Sequence, residues 1–231
     1  MERICASSIE SAYGRKKVLT GVNLSAGAGQ CIGIVGGNGC GKSTLLNILA
    51  GLRRADKGTI AFEGEPAQGR KKDELFRNYT GYVPQENNLI EELSVRDNLV
   101  LWYERWDVLE RELSEGFLGL LGLSQICGTK VEKLSGGMKK RVSIGCALAG
   151  HPPVLLLDEP GSSLDLPSKA QVRKYLTLFK EMGGTIVLAT HEESELDLCD
   201  KIYALVDGKS REIETSLRGE SLMVELHNLS E

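Results

Sequence analysis

The clearest chemistry in the sequence belongs to a glycine-rich octapeptide, Gly36-Gly37-Asn38-Gly39-Cys40-Gly41-Lys42-Ser43. Its spacing, G-x-x-x-x-G-K-S, lets the backbone curl with its N–H groups pointing at an anion. The ammonium of Lys42 suits the outer phosphates of a nucleotide, and the hydroxyl of Ser43 suits Mg²⁺. A chance glycine-rich turn is the alternative. We predict a phosphate-binding loop formed by Gly36, Asn38, Gly39, Cys40, Gly41, Lys42, Ser43 and Thr44.

Two adjacent acids supply the second group of reactive side chains. Asp158 and Glu159 follow the apolar run 154–157, and ligands of open α/β sheets bind at the carboxyl ends of the strands. Asp158 is predicted to hold Mg²⁺ through its water shell. Glu159 is predicted to polarise an attacking water and accept its proton. The alternative is a pair of capping acids without a catalytic role.

A histidine ends the next apolar run along the chain. His191 follows residues 185–190, so its ring is expected to lie in the same sheet edge and to face the γ-phosphate. A purely structural histidine is the alternative. Kinases, GTPases and motor ATPases share the phosphate-binding loop, so these residues do not by themselves select one function.

The elements that position these residues are predicted from continuous apolar runs. Runs without polar alternation are typical of strands buried on both faces, as in a parallel sheet. Helical patterns at 43–52 and 167–182 alternate with them, which predicts an α/β fold. The predicted strands are 30–35, 81–84, 154–157 and 185–189.

Two regions depart from this alternation. Strand-and-turn signals such as 58–64 predict a small antiparallel sheet in the first third, and 202–206 with 211–215 predict a hairpin. An inserted helical lobe is predicted at about 88–150. Its predicted helices are 94–106, 108–121 and one from 124 onward. We interpret residues 1–231 as one domain that contains this lobe.

Composition excludes several classes of protein. Twenty-eight basic and 32 acidic residues give a net charge of −4, which argues against a protein that coats nucleic acid. No run approaches the roughly 20 apolar residues of a spanning helix, and residues 1–5 lack a signal-peptide pattern. Six cysteines without a C-x-x-C pair predict reduced thiols rather than disulfides or zinc. A cytosolic location is expected.

One further motif gives a family resemblance. Leu134-Ser135-Gly136-Gly137-Met138-Lys139-Lys140-Arg141 stands between the phosphate loop and the acids, and it resembles the signature of ABC (ATP-binding cassette) proteins. The resemblance covers the chain from Tyr13 to about Gly208. It implies a P-loop NTPase parallel sheet core with a small antiparallel β subdomain and an inserted helical subdomain.

The resemblance also implies roles for individual residues. Tyr13 resembles the aromatic residue on which adenine stacks, and Gln85 resembles the glutamine that touches Mg²⁺ and the attacking water. Ser135 and Gly137 would bind the ATP of a second subunit, and 163–165 would contact that subunit. The implied catalytic residues are Glu159, His191, Gln85 and Lys42, and the implied metal ligands are Ser43, Gln85 and Asp158.

As a whole, the resemblance implies a Mg²⁺-dependent ATPase that powers transport through separate transmembrane permease subunits. It also implies a second ATP-binding subunit, identical or different, and no nucleic-acid partner. The expected location is the inner face of the cell membrane. Residues 138–141 resemble bacterial exporter cassettes. The alternatives are a non-transport member, such as an iron–sulfur assembly ATPase, and a binding switch with negligible turnover. Cys40 and Gly161 depart from the family pattern, predicting an oxidation-sensitive loop and a looser turn.

Overall fold

The structure, a computed structural model, describes residues 2–230 and contains two β-sheets. The larger sheet has six strands in the order β10-β9-β3-β8-β7-β6. Five of them are parallel, and β10 pairs antiparallel with β9. Its strands are β3 (Cys31–Val35), β6 (Thr80–Val83), β7 (Val154–Asp158), β8 (Thr185–Ala189), β9 (Lys201–Val206) and β10 (Lys209–Ile213).

The central strands explain the continuous apolar runs of the sequence. Every residue of β3, β7 and β8 is buried, because each of these strands has a neighbour on both sides and packed layers on both faces. The predicted strands and the C-terminal hairpin are confirmed to within a few residues.

The smaller sheet is antiparallel and lies in the first third of the chain, as the sequence predicts. Its order is β2-β1-β4-β5. Its apolar side shares one core with the helix that follows the phosphate loop, through contacts such as those of Ile9, Phe62 and Leu45. Its strands are β1 (Glu2–Tyr13), β2 (Lys16–Gly27), β4 (Lys57–Phe62) and β5 (Glu65–Pro66).

Nine α-helices are described within residues 2–230. Four of them, α3 to α6, lie between β6 and β7, which are neighbours in the sheet, so the helical block is inserted between adjacent parallel strands. The helices are α1 (Lys42–Leu49), α2 (Lys72–Tyr79), α3 (Val95–Val100), α4 (Trp106–Ser114), α5 (Phe117–Leu120), α6 (Gly136–Ala147), α7 (Leu166–Glu181), α8 (Glu193–Leu196) and α9 (Gly219–Asn228).

The predicted helices of the inserted block were too long. The helix predicted at 108–121 is broken at Gly116, where a Cβ would collide with the carboxylate of Glu112. That carboxylate instead accepts a hydrogen bond from the backbone N–H of Phe117 at 3.0 Å, which lets α5 start anew. The helix predicted at 94–106 ends at Val100, and the segment from 124 forms only two short 3₁₀ turns before α6.

The start of helix α7 also differs slightly from the prediction. Helix α7 begins at Leu166 because Asp165 caps it and accepts a hydrogen bond from the Ser168 N–H at 2.9 Å. Pro167 is therefore its second residue rather than its first. Helix α2 was not predicted. Within residues 2–230, no helix is both long enough and apolar enough to cross a membrane.

Candidate active site

The phosphate loop requires glycine at two positions, because neither has space for a Cβ atom. Gly36 has φ 155°, and a Cβ there would collide with the carbonyl oxygen of Leu205. Gly41 has φ 115°, and a Cβ there would lie 2.8 Å from a methyl group of Val18. The loop therefore leaves β3, turns tightly against β9 and β2, and delivers Lys42 to the first position of α1.

Lys42 lies at the centre of the site, and only 6% of its surface is exposed. Its Nζ donates to the carbonyl oxygen of Gly36 at 2.9 Å and lies 2.8 Å from Nε2 of His191. An ammonium group has no acceptor, so Nε2 accepts this hydrogen bond and the imidazole proton sits on Nδ1. The structure thus brings together two residues that lie 149 positions apart in the sequence.

Glu159 occupies a strained backbone position directly after β7. Its φ of 45° is in the left-handed region, which few residues other than glycine adopt. Two hydrogen bonds hold it there: its N–H donates to the carbonyl oxygen of Ala189 at 2.8 Å, and its own carbonyl accepts from the Ser162 hydroxyl at 2.8 Å. Strain of this kind concentrates at functional sites.

The carboxylate of Glu159 is held between two other predicted residues. Its Oε2 accepts a hydrogen bond from Nε2 of Gln85 at 3.1 Å, and its Oε1 lies 3.5 Å from Nε2 of His191. Lys42, Gln85, Glu159 and His191 therefore form one connected group. All four were predicted as the catalytic set.

An open cleft of about 690 Å³ adjoins this group. Nine of the predicted site residues line it. Lys16 and Val18 of β2 also line it but were not predicted, because they belong to no motif and reach the cleft only through the pairing of the antiparallel sheet. The lining residues are Tyr13, Lys16, Val18, Asn38, Gly39, Gly41, Lys42, Ser43, Thr44, Gln85 and Glu159.

Tyr13 lines this cleft. The guanidinium group of Arg53 covers the ring at 3.8 Å from its centre, and the Tyr13 hydroxyl lies 3.5 Å from Oγ1 of Thr44. Tyr13 is 53% exposed, which leaves the residue accessible to a planar base. Arg53 was missed by the sequence analysis.

The predicted Mg²⁺ ligands are chemically suited to that cation. Ser43 supplies an exposed hydroxyl. The Nε2 of Gln85 donates to Glu159, and its amide oxygen is available to coordinate the cation. Asp158 is almost fully buried behind the cleft. The pKa of Tyr82 is raised to about 12, mainly by burial and to a smaller extent by the nearby Asp158 carboxylate. Hydroxyl, amide and carboxylate oxygens are the hard ligands that Mg²⁺ binds, usually few at a time and alongside substrate phosphates.

Cys40 is the residue for which sensitivity to oxidation is predicted. Burial raises the pKa of its thiol, although Lys42 opposes the rise. A higher pKa lowers the fraction of thiolate, which is the reactive form, and so argues against that prediction.

Ser135 and Gly137 lie away from the cleft of their own chain. The Ser135 side chain caps α6 by accepting a hydrogen bond from the Met138 N–H at 3.3 Å. A Cβ on Gly137 would collide with the hydroxyl of Ser168 on α7. Neither residue lines the cleft, and their role toward the nucleotide of another subunit stays a prediction.

Comparisons with known proteins identify the family. The family described as ABC transporter matches residues 19–162. The chain is 35% identical over 207 residues to the Nod factor export ATP-binding protein I of Sinorhizobium fredii, a match that covers 88% of this chain and 60% of that protein. It is also 35% identical over 207 residues to the lipoprotein-releasing system ATP-binding protein LolD of Bacteroides thetaiotaomicron, covering 87% of this chain and 95% of that protein.

This chain belongs to the ABC transporter family. The predicted family and fold class are therefore confirmed. A solved structure adds detail: MJ0796, a cassette described as a dimer in a post-hydrolysis state bound to ADP and Pi, superposes with a TM-score of 0.79 at 28% identity. The match covers 94% of this chain and 99% of that one.

The family match does not reach every site residue of the cassette. Gln85, Ser135, Asp158 and Glu159 fall inside residues 19–162, whereas Tyr13 and His191 fall outside. The roles of Tyr13 and His191 therefore depend on the side-chain contacts described above rather than on the family match.

Two buried charged residues near the site, Lys140 and Glu195, were not predicted as site residues. Lys140 of α6 is 1% exposed and donates to the carbonyl oxygens of Pro84 at 3.0 Å and Gln85 at 2.9 Å. Glu195 of α8 is 5% exposed. Helical spacing places Lys140 on the buried face of α6 with Gly137 and Ile144. A lysine at a position predicted to be buried was the feature of the sequence that could have identified it.

Proposed function

We propose that this cassette binds ATP at the loop 36–44 and hydrolyses it with Glu159 as the general base. One observation carries the proposal: Lys42, Gln85, Glu159 and His191 are hydrogen-bonded or in contact with one another beside a cleft large enough for a nucleotide. A binding switch without turnover has no need of a carboxylate and an imidazole directed at the same position.

Each of these residues has a distinct task in the proposed reaction. Lys42 exchanges its contact with the Gly36 carbonyl for a phosphate oxygen, a stronger charge-assisted bond. Glu159 accepts the proton of the attacking water, and Gln85 fixes the orientation of its carboxylate. His191 accepts from Lys42 through Nε2, which keeps the imidazole in one tautomer facing the phosphate loop. Tyr13 stacks on adenine.

The divalent cation belongs to the substrate side of this reaction. Ser43, Gln85 and Asp158 are the residues that we infer would hold Mg²⁺. When bound, Mg²⁺ would neutralise charge on the phosphate oxygens.

We further propose that hydrolysis powers export through transmembrane permease subunits. The names of the two relatives, a Nod factor export protein and a lipoprotein-releasing protein, support export. Neither is an iron–sulfur assembly ATPase. The proposed location is the inner, cytoplasmic face of the cell membrane, and the proposed partners are those permease subunits and a second ATP-binding subunit.

The replacement Glu159→Gln tests the proposed reaction. The amide keeps the shape of the carboxylate but cannot accept a proton, so Mg²⁺-dependent ATPase activity should fall by roughly 100-fold or more. ATP affinity, measured by calorimetry, should stay near that of the wild type. Glu181→Gln at the exposed end of α7 is the matched control and should keep full activity. Near-normal turnover in Glu159→Gln would show that another group is the base.

A further inference from the structure

The carboxylate of Glu195 is buried between the two loops that carry the proposed base and the histidine. Its Oε2 accepts a hydrogen bond from the hydroxyl of Thr190, a residue with no exposed surface. The same hydroxyl accepts a hydrogen bond from the Glu192 N–H at 2.9 Å. Glu195 therefore fixes the residues on both sides of His191.

The other oxygen of Glu195 faces the loop after β7. A Cβ on Gly161 would lie 2.5 Å from Oε1 of Glu195, so this close approach requires a glycine. Gly161 does not have a positive φ, and clearance rather than backbone freedom is what the glycine provides. The space left by the missing Cβ is filled by a carboxylate, which argues against the predicted looser turn at Gly161.

Gly161 lies two residues after Glu159, and Thr190 lies one residue before His191. We propose that Glu195 is a positioning residue that ties the loop of Glu159 to the loop of His191 and holds both in register for ATP hydrolysis. The role of Glu195 in hydrolysis rests on the proposed function, whereas its contacts are observed independently of that function.

Several charged groups surround this link. Burial raises the pKa of the Glu195 carboxyl, while hydrogen bonding from Thr190 and a backbone interaction with Gly161 favour the charged form. Lys140 approaches from α6 and Lys169 from α7, and Lys169 also pairs with Glu192 at 2.8 Å. The carboxylate thus joins two loops at a point where water has little access, which makes the link stiff.

Steady-state kinetics of Glu195→Ala and Glu195→Gln test this role. Removing the carboxylate should lower kcat by roughly 10-fold to 100-fold, because small displacements of reacting groups have effects of this size. KM for ATP should change by less than about threefold, since the phosphate loop is untouched. Glu195→Gln keeps an acceptor oxygen and should recover most of kcat. A residue that only supports packing would lower ATP affinity and kcat together.

A double-mutant cycle with Gly161→Ala tests the contact itself. The added methyl group should lower kcat when Glu195 is present. In the Glu195→Ala background it should lower kcat little further, because the two positions are in contact. Gly128→Ala is the matched control, since a Cβ there meets nothing within 4 Å. If Glu195→Ala does not fold, Glu195→Asp replaces it in the cycle, because its shorter side chain leaves room for the methyl group.

The outcomes separate the two proposals. An active wild type whose Glu195→Ala variant keeps its kcat, or a cycle whose losses simply add, overturns the inference about Glu195 alone. A wild type that binds ATP but never hydrolyses it overturns the proposed function, and the role of Glu195 in hydrolysis with it. A drop in kcat at constant KM, rescued by glutamine and coupled to Gly161, supports the link.

Discussion

At the scale of single residues, Lys42 shows how a buried charge is kept ready for a ligand. Its ammonium is satisfied by the Gly36 carbonyl and by His191, so burial does not leave it unpaired. Both partners lie beside the cleft, and an entering phosphate offers a stronger bond than either.

Lys42→Ala should weaken ATP binding itself. Loss of a charge-assisted hydrogen bond is expected to raise Kd by roughly 10-fold to 100-fold. Isothermal calorimetry with ATP measures the change directly. Lys174→Ala, on the exposed face of α7, is the control and should bind ATP like the wild type. Equal ATP affinities for Lys42→Ala and the wild type would contradict the assignment of the phosphate loop.

The predictable site residues were those whose spacing along the chain reports their chemistry. The octapeptide 36–43 and the acids at 158 and 159 follow local rules of backbone shape and strand ends, so the sequence alone located them. Arg53 and Glu195 have no such local rule. Their partners, Tyr13 and Gly161, lie dozens of residues away, and only the folded chain shows which side chain fills which space.

At the scale of elements, α6 joins the signature to the catalytic cleft. Its N-terminus is capped by Ser135, and Lys140 reaches from its second turn to the backbone of Gln85. The strands were easier to predict than the helices around α6. A fully buried strand gives an uninterrupted apolar run, whereas the breaks near Val100 and Gly116 depend on side-chain contacts such as that of Glu112 with the Phe117 N–H.

The C-terminal part of α6 supports a prediction about pH. Burial raises the pKa of the Cys146 thiol to about 12, compared with its ordinary value of 9.0. Above pH 9 the unfolded chain loses this proton and the folded chain keeps it, so the contribution of Cys146 to stability falls as pH rises from 9 towards 12. Below pH 9 the contribution is fully present.

Urea unfolding at several pH values measures this effect. The free energy of unfolding of the wild type should fall more steeply between pH 9 and 10.5 than that of Cys146→Ala, which lacks the thiol. Cys5→Ala, at a more accessible position in the antiparallel sheet, is the control and should follow the wild type. Parallel curves for Cys146→Ala and the wild type would contradict the prediction.

At the scale of the whole molecule, the signature lies apart from the catalytic cleft of its own chain. The cleft contains the phosphate loop and the base, while Ser135 and Gly137 at the start of α6 are outside it. A helix N-terminus capped by serine and followed by glycines exposes N–H groups that suit an anion. The similar structure of MJ0796 is described as a dimer bound to ADP and Pi. We infer that two cassettes meet head to tail, with ATP between the phosphate loop of one and the signature of the other.

The head-to-tail arrangement predicts that ATP joins two chains when hydrolysis is blocked. Glu159→Gln with Mg²⁺ and ATP should shift from monomer to dimer, because bound nucleotide adds contacts that only the dimer makes. Adding Ser135→Arg should prevent the shift, since a long side chain fills the space of the γ-phosphate at the signature. It should leave ATP binding intact, because Ser135 does not line the cleft of its own chain.

Light scattering on size-exclusion fractions gives the mass. Ser216→Arg, at an exposed position, is the control that should still dimerise. If the protein with both Glu159→Gln and Ser135→Arg dimerises with ATP as well as Glu159→Gln alone, the signature does not complete the site of the second subunit.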